Sequence, residues 1–388
     1  MNFEAQTTNG VTINPGNPLA FCISKSSDIP ADSLTCLFAI SEPHKFKKIC
    51  VYENFTDCQH PQTPSFAPET AEERQYKNPD HKLNLFATPP HEAYPISDFQ
   101  NNELNFKPSF SSKKQKHLIF SGFVDEQSYL ESAAGSFLKI TARSLAALLL
   151  DNEAHPQIYS HPCLDTLFRK HLAPYGVTSF LGSNRIFHRE FHVHKGMSEW
   201  AVLEKFCENY LNVSPRLHSN GIFDATVSKN HKNFSPSQNS NLTENSQSLH
   251  FSNKYSGIRY TSIQKYYKRH HILSDIFIRT GRSSDYSIHL KDEHSREENI
   301  TKKRYIDSFD TENSAILGEV MLSSSRNKSQ EIIITSPGYI KAEIFEQASL
   351  NSPKFGKINN LIVHGIKYKR DMRSEFSQFR LKPSINQN

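Results

Sequence analysis

Three histidines at even spacing, His188, His192 and His194 in the segment HREFHVH, are the side chains of this sequence best suited by type to hold a metal. On a β-strand they would share one face, and three imidazoles are a ligand set that zinc accepts. A catalytic zinc also needs an open coordination position and partners that orient its ligands. No neighbouring residue supplies these, so the segment reads first as surface or interface histidines on a sheet. A second candidate, Cys50, Cys58 and His60, lacks the close cysteine pairing of zinc modules. The run Tyr266-Tyr267-Lys268-Arg269-His270-His271 joins rings that could stack on bases to cations that could meet phosphates. No second basic and aromatic stripe accompanies it, so it reads as the basic edge of an ordinary strand. The acidic pairs Asp125-Glu126 and Glu297-Glu298 lie in polar text and read as solvated turns rather than glycosidase carboxylates. Nucleophile elbows, H-E-x-x-H, Walker loops and dinucleotide-binding glycine motifs are absent, and 14 Gly in the whole chain leave little scope for phosphate cradles. The residues predict no catalytic residue and no cofactor.

Elements that would position such residues must come from an aromatic-rich but polar chain. It has 388 residues, 27 Phe and 15 Tyr, 36% hydrophobic residues and a mean hydropathy of −0.60. The length predicts more than one core, and the aromatics exclude a wholly disordered chain. A net charge of +5, with the cations scattered, argues against a dedicated nucleic-acid binder. No apolar run is long enough for a membrane-spanning helix, and the N-terminal segment MNFEAQTTNG lacks signal-peptide character. Six scattered cysteines in such a chain read as reduced thiols.

Strand signals open the chain at 36–40 and 49–55, with 41–48 as a connection of hairpin type. Residues 56–116, crowded with Pro, Asn and Ser, read as a long polar surface insertion. Residues 117–126 read as a strand ending in an acidic turn, and 137–143 as a half-buried strand with Leu138, Ile140 and Ala142 on one face. A short helix follows over 144–154, with Ser144 as its N-cap. Helical spacing returns at 163–176, stopped by Pro174 and Gly176, and again at 197–211, where Ser198 caps a helix anchored by Trp200. Asn220-Gly221 marks a hairpin. Residues 228–254, nearly half Ser and Asn, read as a flexible loop, and 282–304 as another polar stretch. A helix is expected around 314–326 and strands over 331–340, 341–350, 358–370 and 374–383.

The segment 121–154, SGFVDEQSYLESAAGSFLKITARSLAALLLDNEA, resembles the Mu-like phage baseplate hub proteins of contractile tails. The likeness rests on Gly122, Val124 and Asp125, then Ile140, Ala142 and Arg143, then Leu145, Leu149 and Asp151. Residues 163–177 are similar to the family's helix ending in L-x-P-Y-G-V, and 192–227 to its G-x-S-x-W helix and strand pair, carried by Gly196, Ser198, Trp200, Leu203 and Phe206. Near the end, 329–340 resembles its P-G-Y strand, and 362–383 its closing strands. The long stretches 56–116 and 228–254 depart from the family pattern.

The resemblance implies an α+β, mainly β fold with two β-barrel-like hub domains, one over 1–154 with the insertion near 56–116 and one over 255–388. An α+β subdomain over 155–227 and a flexible Ser/Asn-rich loop over 228–254 lie between them. It further implies a homotrimer closing into a pseudo-sixfold ring that joins the hexameric tail tube to the trimeric central spike. The implied partners are the spike protein, a tail tube or tube-initiator protein and baseplate wedge proteins, with DNA passing the lumen without specific binding. The implied location is the virion tail baseplate, assembled in the host cytoplasm. Because the sequence ends at Asn388 without a repetitive β-helical extension, the spike is expected on a separate polypeptide. Two other readings remain: a metal-dependent hydrolase using His188, His192 and His194, and a carbohydrate- or receptor-binding tail module with exposed aromatics.

Overall fold

The computed structural model describes residues 1–41, 43–53, 117–211, 213–226, 248–253, 257–280, 285–293, 295, 299–308 and 314–384. The expected insertion at 56–116, with Cys58 and His60, lies outside them, as do Glu297-Glu298 and most of 228–254. The first seven strands are β1 (Asn2–Thr7), β2 (Thr12–Ile13), β3 (Ala20–Ser26), β4 (Ser33–Ala39), β5 (Phe46–Glu53), β6 (His117–Ser132) and β7 (Gly135–Ser144), with period-two burial clearest in β3, β4 and β7. They pair antiparallel in the order β3-β4-β7-β6-β5-β1-β2. Leu34, Cys36 and Phe38 of β4 face the same core as Leu138, Ile140 and Ala142 of β7. The half-buried strand expected at 137–143 is thus present.

Two expectations fail here. The connection 41–48 does not make a hairpin, because β7 and β6 lie between β4 and β5 in the sheet. Nor does β6 stop at its acidic residues. It runs on to Ser132 and turns directly into β7, with a bulge between Val124 and Glu126 that absorbs Asp125. A bulge lets an unpaired polar residue leave the ladder without ending the strand, and sequence alternation does not record it. Gly122 sits just before the bulge, where an added Cβ would meet the Arg143 carbonyl oxygen at 2.3 Å.

A second core gathers residues 146–225. Its elements are α1 (Ala146–Asp151), β8 (Gln157–Tyr159), α2 (Leu164–Leu167), β9 (Ser179–Gly182), β10 (Phe191–Val193), α3 (Glu199–Phe206), β11 (Arg216–Leu217) and β12 (Ile222–Ala225). Ser144 does not cap α1. It is the last residue of β7, and its hydroxyl accepts from the Asp32 N–H at 3.0 Å. The helix α2 continues through a π-turn and a 3₁₀ turn to Gly176, whose φ of 85° provides the expected stop. Ser198 does cap α3, its hydroxyl accepting from Ala201 N–H at 3.1 Å, and Trp200 packs edge-on against Phe223 in the core. β11 and β12 form the Asn220-Gly221 hairpin, with Gly221 at φ 81°.

The C-terminal part returns to the first sheet. It comprises β13 (Leu249–Ser252), β14 (Ser262–Tyr267), β15 (Asp275–Thr280), β16 (Ile288–Lys291), β17 (Lys303–Ser308), α4 (Ser314–Ser329), β18 (Gln330–Pro337), β19 (Gln347–Ser352), β20 (Gly356–Arg370) and β21 (Glu375–Pro383). The loop reading of 228–254 fails at 249–252, where β13 pairs parallel with β19 and buries Phe251. The polar stretch 282–304 likewise contains β16. Of the strand expected over 341–350 only the end pairs.

The 15-residue β20 carries the join: its first half pairs β19, its second half pairs β3, and β21 follows along its other edge. A bulge between Val363 and Gly365 marks the handover, and the displaced His364 binds Ser27 through Nδ1 at 2.7 Å. Among the described residues the result is one open 13-stranded sheet ending at β14 and β2, and not a closed barrel. One apolar core lies along it, drawing on Phe3, Ile23 and Phe38 near the N-terminus and on Phe251, Val363 and Phe379 near the C-terminus. The strands β16-β15-β17 form a separate small sheet with α4 on one face, its core being Leu273, Ile276, Ile278 and Leu322. Gly318 permits that approach, since an added Cβ would meet Leu290 at 2.3 Å.

Candidate functional site

The three histidines separate. β10 contains only residues 191–193, so His188 lies on the preceding bend, edge-on against His161 at 5.4 Å between ring centroids. His192 and His194 stack on each other at 6.1 Å, and His192 contacts Glu190 at 3.2 Å in an exposed pair. Among the described residues no group of three His, Cys, Asp or Glu side chains is placed to hold a metal. Cys50 is buried, and its thiol is pushed up first by desolvation.

The residues that carry the hub resemblance do meet. Arg143 of β7 donates through Nε to Asp125 at 2.7 Å and through Nη2 to Asp151 at 2.6 Å. Asp125 reaches it only because the β6 bulge turns that side chain out of the ladder. The three residues therefore bind the hairpin β6-β7 to α1, and the hydrogen bonds that Arg143 donates to Asp151 and Asp125 hold the guanidinium proton more tightly than usual. In the second motif Gly196 takes φ 85° and donates its N–H to Glu153 at 2.7 Å, while Leu203 and Phe206 are fully buried. Each motif position has a folding role: a turn, a cap, a tie or a core contact.

One constellation was not legible in the sequence. Glu199, at the first position of α3, accepts from Tyr175 Oη at 3.1 Å and meets His171 Nδ1, while His171 Nε2 meets Tyr159 Oη at 2.8 Å. Carboxylate, imidazole and phenol are the parts of an acid-base relay, but His171 is 2% exposed and Glu199 7%. Burial, then the Glu199 charge, pushes both the Tyr159 and the Tyr175 hydroxyls up to about 12. With no access for a substrate to the imidazole, the chain pins β8, α2 and α3 together. Within its own segment Glu199 is simply a favourable charge at a helix N-terminus. Its partners lie 24 and 28 residues away in sequence, and no local signal links them.

The exposed aromatics also take a definite arrangement. Phe277, His289 and Tyr305 lie directly opposite one another on β15, β16 and β17, with centroids 4.1 and 4.9 Å apart and nearly parallel planes. Rings stacked across strands cover one another's faces, so they stiffen the small sheet and offer mainly edges to a sugar or base. A cleft of about 670 Å³ opens between the end of β14 with its following turn and the loop 299–302, lined by Tyr267, Lys268, Arg269, Ile272 and Lys302.

No family model matches the chain, and no curated protein matches it in sequence. The fold is nevertheless defined: it is that of solved phage tail proteins, matched over 98–99% of the chain. The tail protein from Neisseria meningitidis superposes with a TM-score of 0.64 at 12% identity, covering 98% of this chain and 96% of that one. The 43 kDa tail protein of prophage MuSo2 from Shewanella oneidensis gives a TM-score of 0.60 at 11% identity, covering 99% of both chains. A prophage tail protein from Listeria monocytogenes gives 0.52 at 9% identity over 98% of this chain and 94% of that one.

Proposed function

We propose that the chain is a structural baseplate hub subunit of a contractile phage tail or phage-tail-like particle, joining the tail tube to the central spike as a homotrimer. The observation that carries this reading is the end-to-end fold match to prophage tail proteins, including one from a Mu-type prophage, over 98–99% of this chain. The residues of the hub resemblance add to it, since Asp125, Arg143 and Asp151 form one tie at the β6 bulge. The open sheet supports assembly as well. Among the described residues β14 and β2 are the terminal strands of its main path, and a closed ring gives terminal strands partners. In this reading 1–154 and 255–388 are the two hub halves joined in one open sheet, 155–227 is the α+β part between them, and the role is mechanical, with no bond chemistry. Spike, tube or tube-initiator and wedge proteins are its neighbours in the virion tail, assembled in the host cytoplasm, and DNA passes the lumen without specific contacts. Nothing in the described geometry favours the hydrolase or the sugar-binding reading.

The test is mass by light scattering together with particle averaging of the purified chain, alone and with added spike protein. Trimers with a ring-shaped projection are expected. A monomer that forms no ring under any condition, spike included, overturns the reading.

A further inference from the structure

Two hairpin ends share one rim of the large sheet and differ in both height and charge. Glu375, Arg370, Phe21, Cys36, Ile140 and Gln127 stand in a single row across β21, β20, β3, β4, β7 and β6. Above that row the β6-β7 hairpin climbs on to Ser132, roughly 17 Å at the rise of a strand. On the same side β20 and β21 close in a low turn over 371–374, about 7 Å up. Four strand spacings, roughly 19 Å, separate the two hairpins. Both ends are held in shape. Gln127 bonds the N–H and the carbonyl of Phe46 at 3.1 and 2.6 Å, and Tyr129 Oη donates to the His44 carbonyl, which braces the tall arm. In the low turn Asp371 Oδ1 accepts from the N–H groups of Arg373 and Ser374 at 2.9 and 2.8 Å.

The arm leaves Leu130 51% exposed, and next to it Glu131 is the only charged side chain between Ser128 and Leu138. The turn lifts Met372 to 84% exposure, between Arg370 and Arg373. Lys367, Lys369, Arg370 and Arg373 outnumber Asp371 and Glu375 there, so the turn is basic where the arm is acidic. A second copy turned by half a revolution about an axis midway between the hairpins sets the tall acidic arm of each chain over the low basic turn of the other. Such a contact is isologous, so each pairing of unlike charges forms twice. Because both ends are already ordered, little is lost in bringing them together. We propose that this rim docks on the same rim of a second copy of the chain, Leu130 resting on the partner's Met372 and Glu131 meeting the partner's Arg373. This does not rest on the hub reading: two free chains pair as a dimer, and two rings as a double ring.

The experiment is sedimentation equilibrium of the full chain at rising concentration, in low and in high salt. The mass is expected to double as concentration rises, and the pairing to weaken as salt screens it. Glu131→Arg sets like charges together at both contacts and should weaken pairing by about tenfold, and Arg373→Glu should act in the same direction. The two substitutions in one chain exchange the signs and should recover most of the loss. Met372→Ser should weaken pairing several-fold, while Lys354→Glu, on the exposed turn at the other end of β20, leaves it unchanged. All these side chains are exposed, so thermal unfolding of each variant should match the wild type and separate lost pairing from lost folding. No doubling at any concentration, single reversals without effect, or a combined variant no better than the single ones would each overturn the proposal. A mass that stops at three chains overturns the pairing and leaves the hub reading standing.

Discussion

The N-terminal and C-terminal halves of the large sheet are each stitched by three charged residues, with the signs exchanged. In the N-terminal half one cation, Arg143, serves two carboxylates, and all three are about a third or more exposed. In the C-terminal half one carboxylate, Glu331, serves two cations. Its Oε2 accepts from Lys268 Nζ at 2.8 Å and its Oε1 from Arg380 Nε at 2.6 Å, and its side chain is 4% exposed while the two cations are 36% and 41% exposed. The difference lies in which member is desolvated. A guanidinium at a surface can return to water when a partner is lost, whereas a buried carboxylate cannot, so similar ties should differ in their energetic consequence and in their response to salt.

The comparison breaks most visibly if both cations of the buried tie are removed. Lys268→Ala combined with Arg380→Ala leaves the Glu331 carboxylate uncompensated, and about 3 kcal/mol of stability should be lost at neutral pH, at the low end for a stranded buried charge. Urea unfolding measures it. The pH dependence then reverses. In the wild type, burial acts to raise Glu331, but the hydrogen bonds from Lys268 and Arg380 outweigh it and hold the carboxyl below its ordinary value of 4.5. A depressed carboxylate contributes stability that is complete above that ordinary value and is lost as pH falls through the folded value. In the double variant burial acts alone and raises Glu331, so stability should recover as pH falls. Stability that declines with acid in both proteins would refute this assignment.

The two ties were not equally legible. Asp125, Arg143 and Asp151 stand in a motif whose order resembles the hub family, although their meeting depends on a bulge that the alternation of apolar residues does not reveal. Glu331 begins an apolar run, EIIIT, that reads correctly as a strand. Its burial follows from β14 and β21 flanking β18, a pairing between segments far apart in sequence. The same division runs through the fold. Caps, turns and alternation found Ser198, Gly176, Gly221 and the strand cores, because each is decided within a few residues. The adjacency of β20 to β3 and the Tyr159-His171-Glu199-Tyr175 chain depend on long-range pairing, and β13 and β16 were hidden in polar text because each buries only a few side chains.

Gly122 sharpens the comparison from the N-terminal side. Gly122→Ala forces a methyl group against the Arg143 carbonyl oxygen and the Phe120 ring, both under 3.0 Å. The carbonyl belongs to the β6-β7 ladder and cannot swing away, so the strand must shift, at a cost of about 2 kcal/mol typical of overpacking. Thermal unfolding should show it. Gly365→Ala, at the corresponding bulge of β20, meets Arg380 side-chain carbons no nearer than 3.1 Å and should cost clearly less.

The smallest effect is expected where the motif is most conspicuous. Arg143→Gln removes both contacts of the N-terminal tie, but Asp125 and Asp151 are exposed enough to hydrate, and the lost attraction is partly screened. About 0.5–1 kcal/mol should disappear at low ionic strength, the range for exposed pairs, and less in 1 M salt, where the screening length falls to about 3 Å. The buried Glu331 tie should keep most of its contribution under the same salt, since little solvent stands between its charges. Unfolding curves of the Arg143 variant and of the Lys268/Arg380 variant at low and high salt therefore form one measurement. If both deficits shrank equally with salt, the contrast in desolvation between the two halves would not govern their stability.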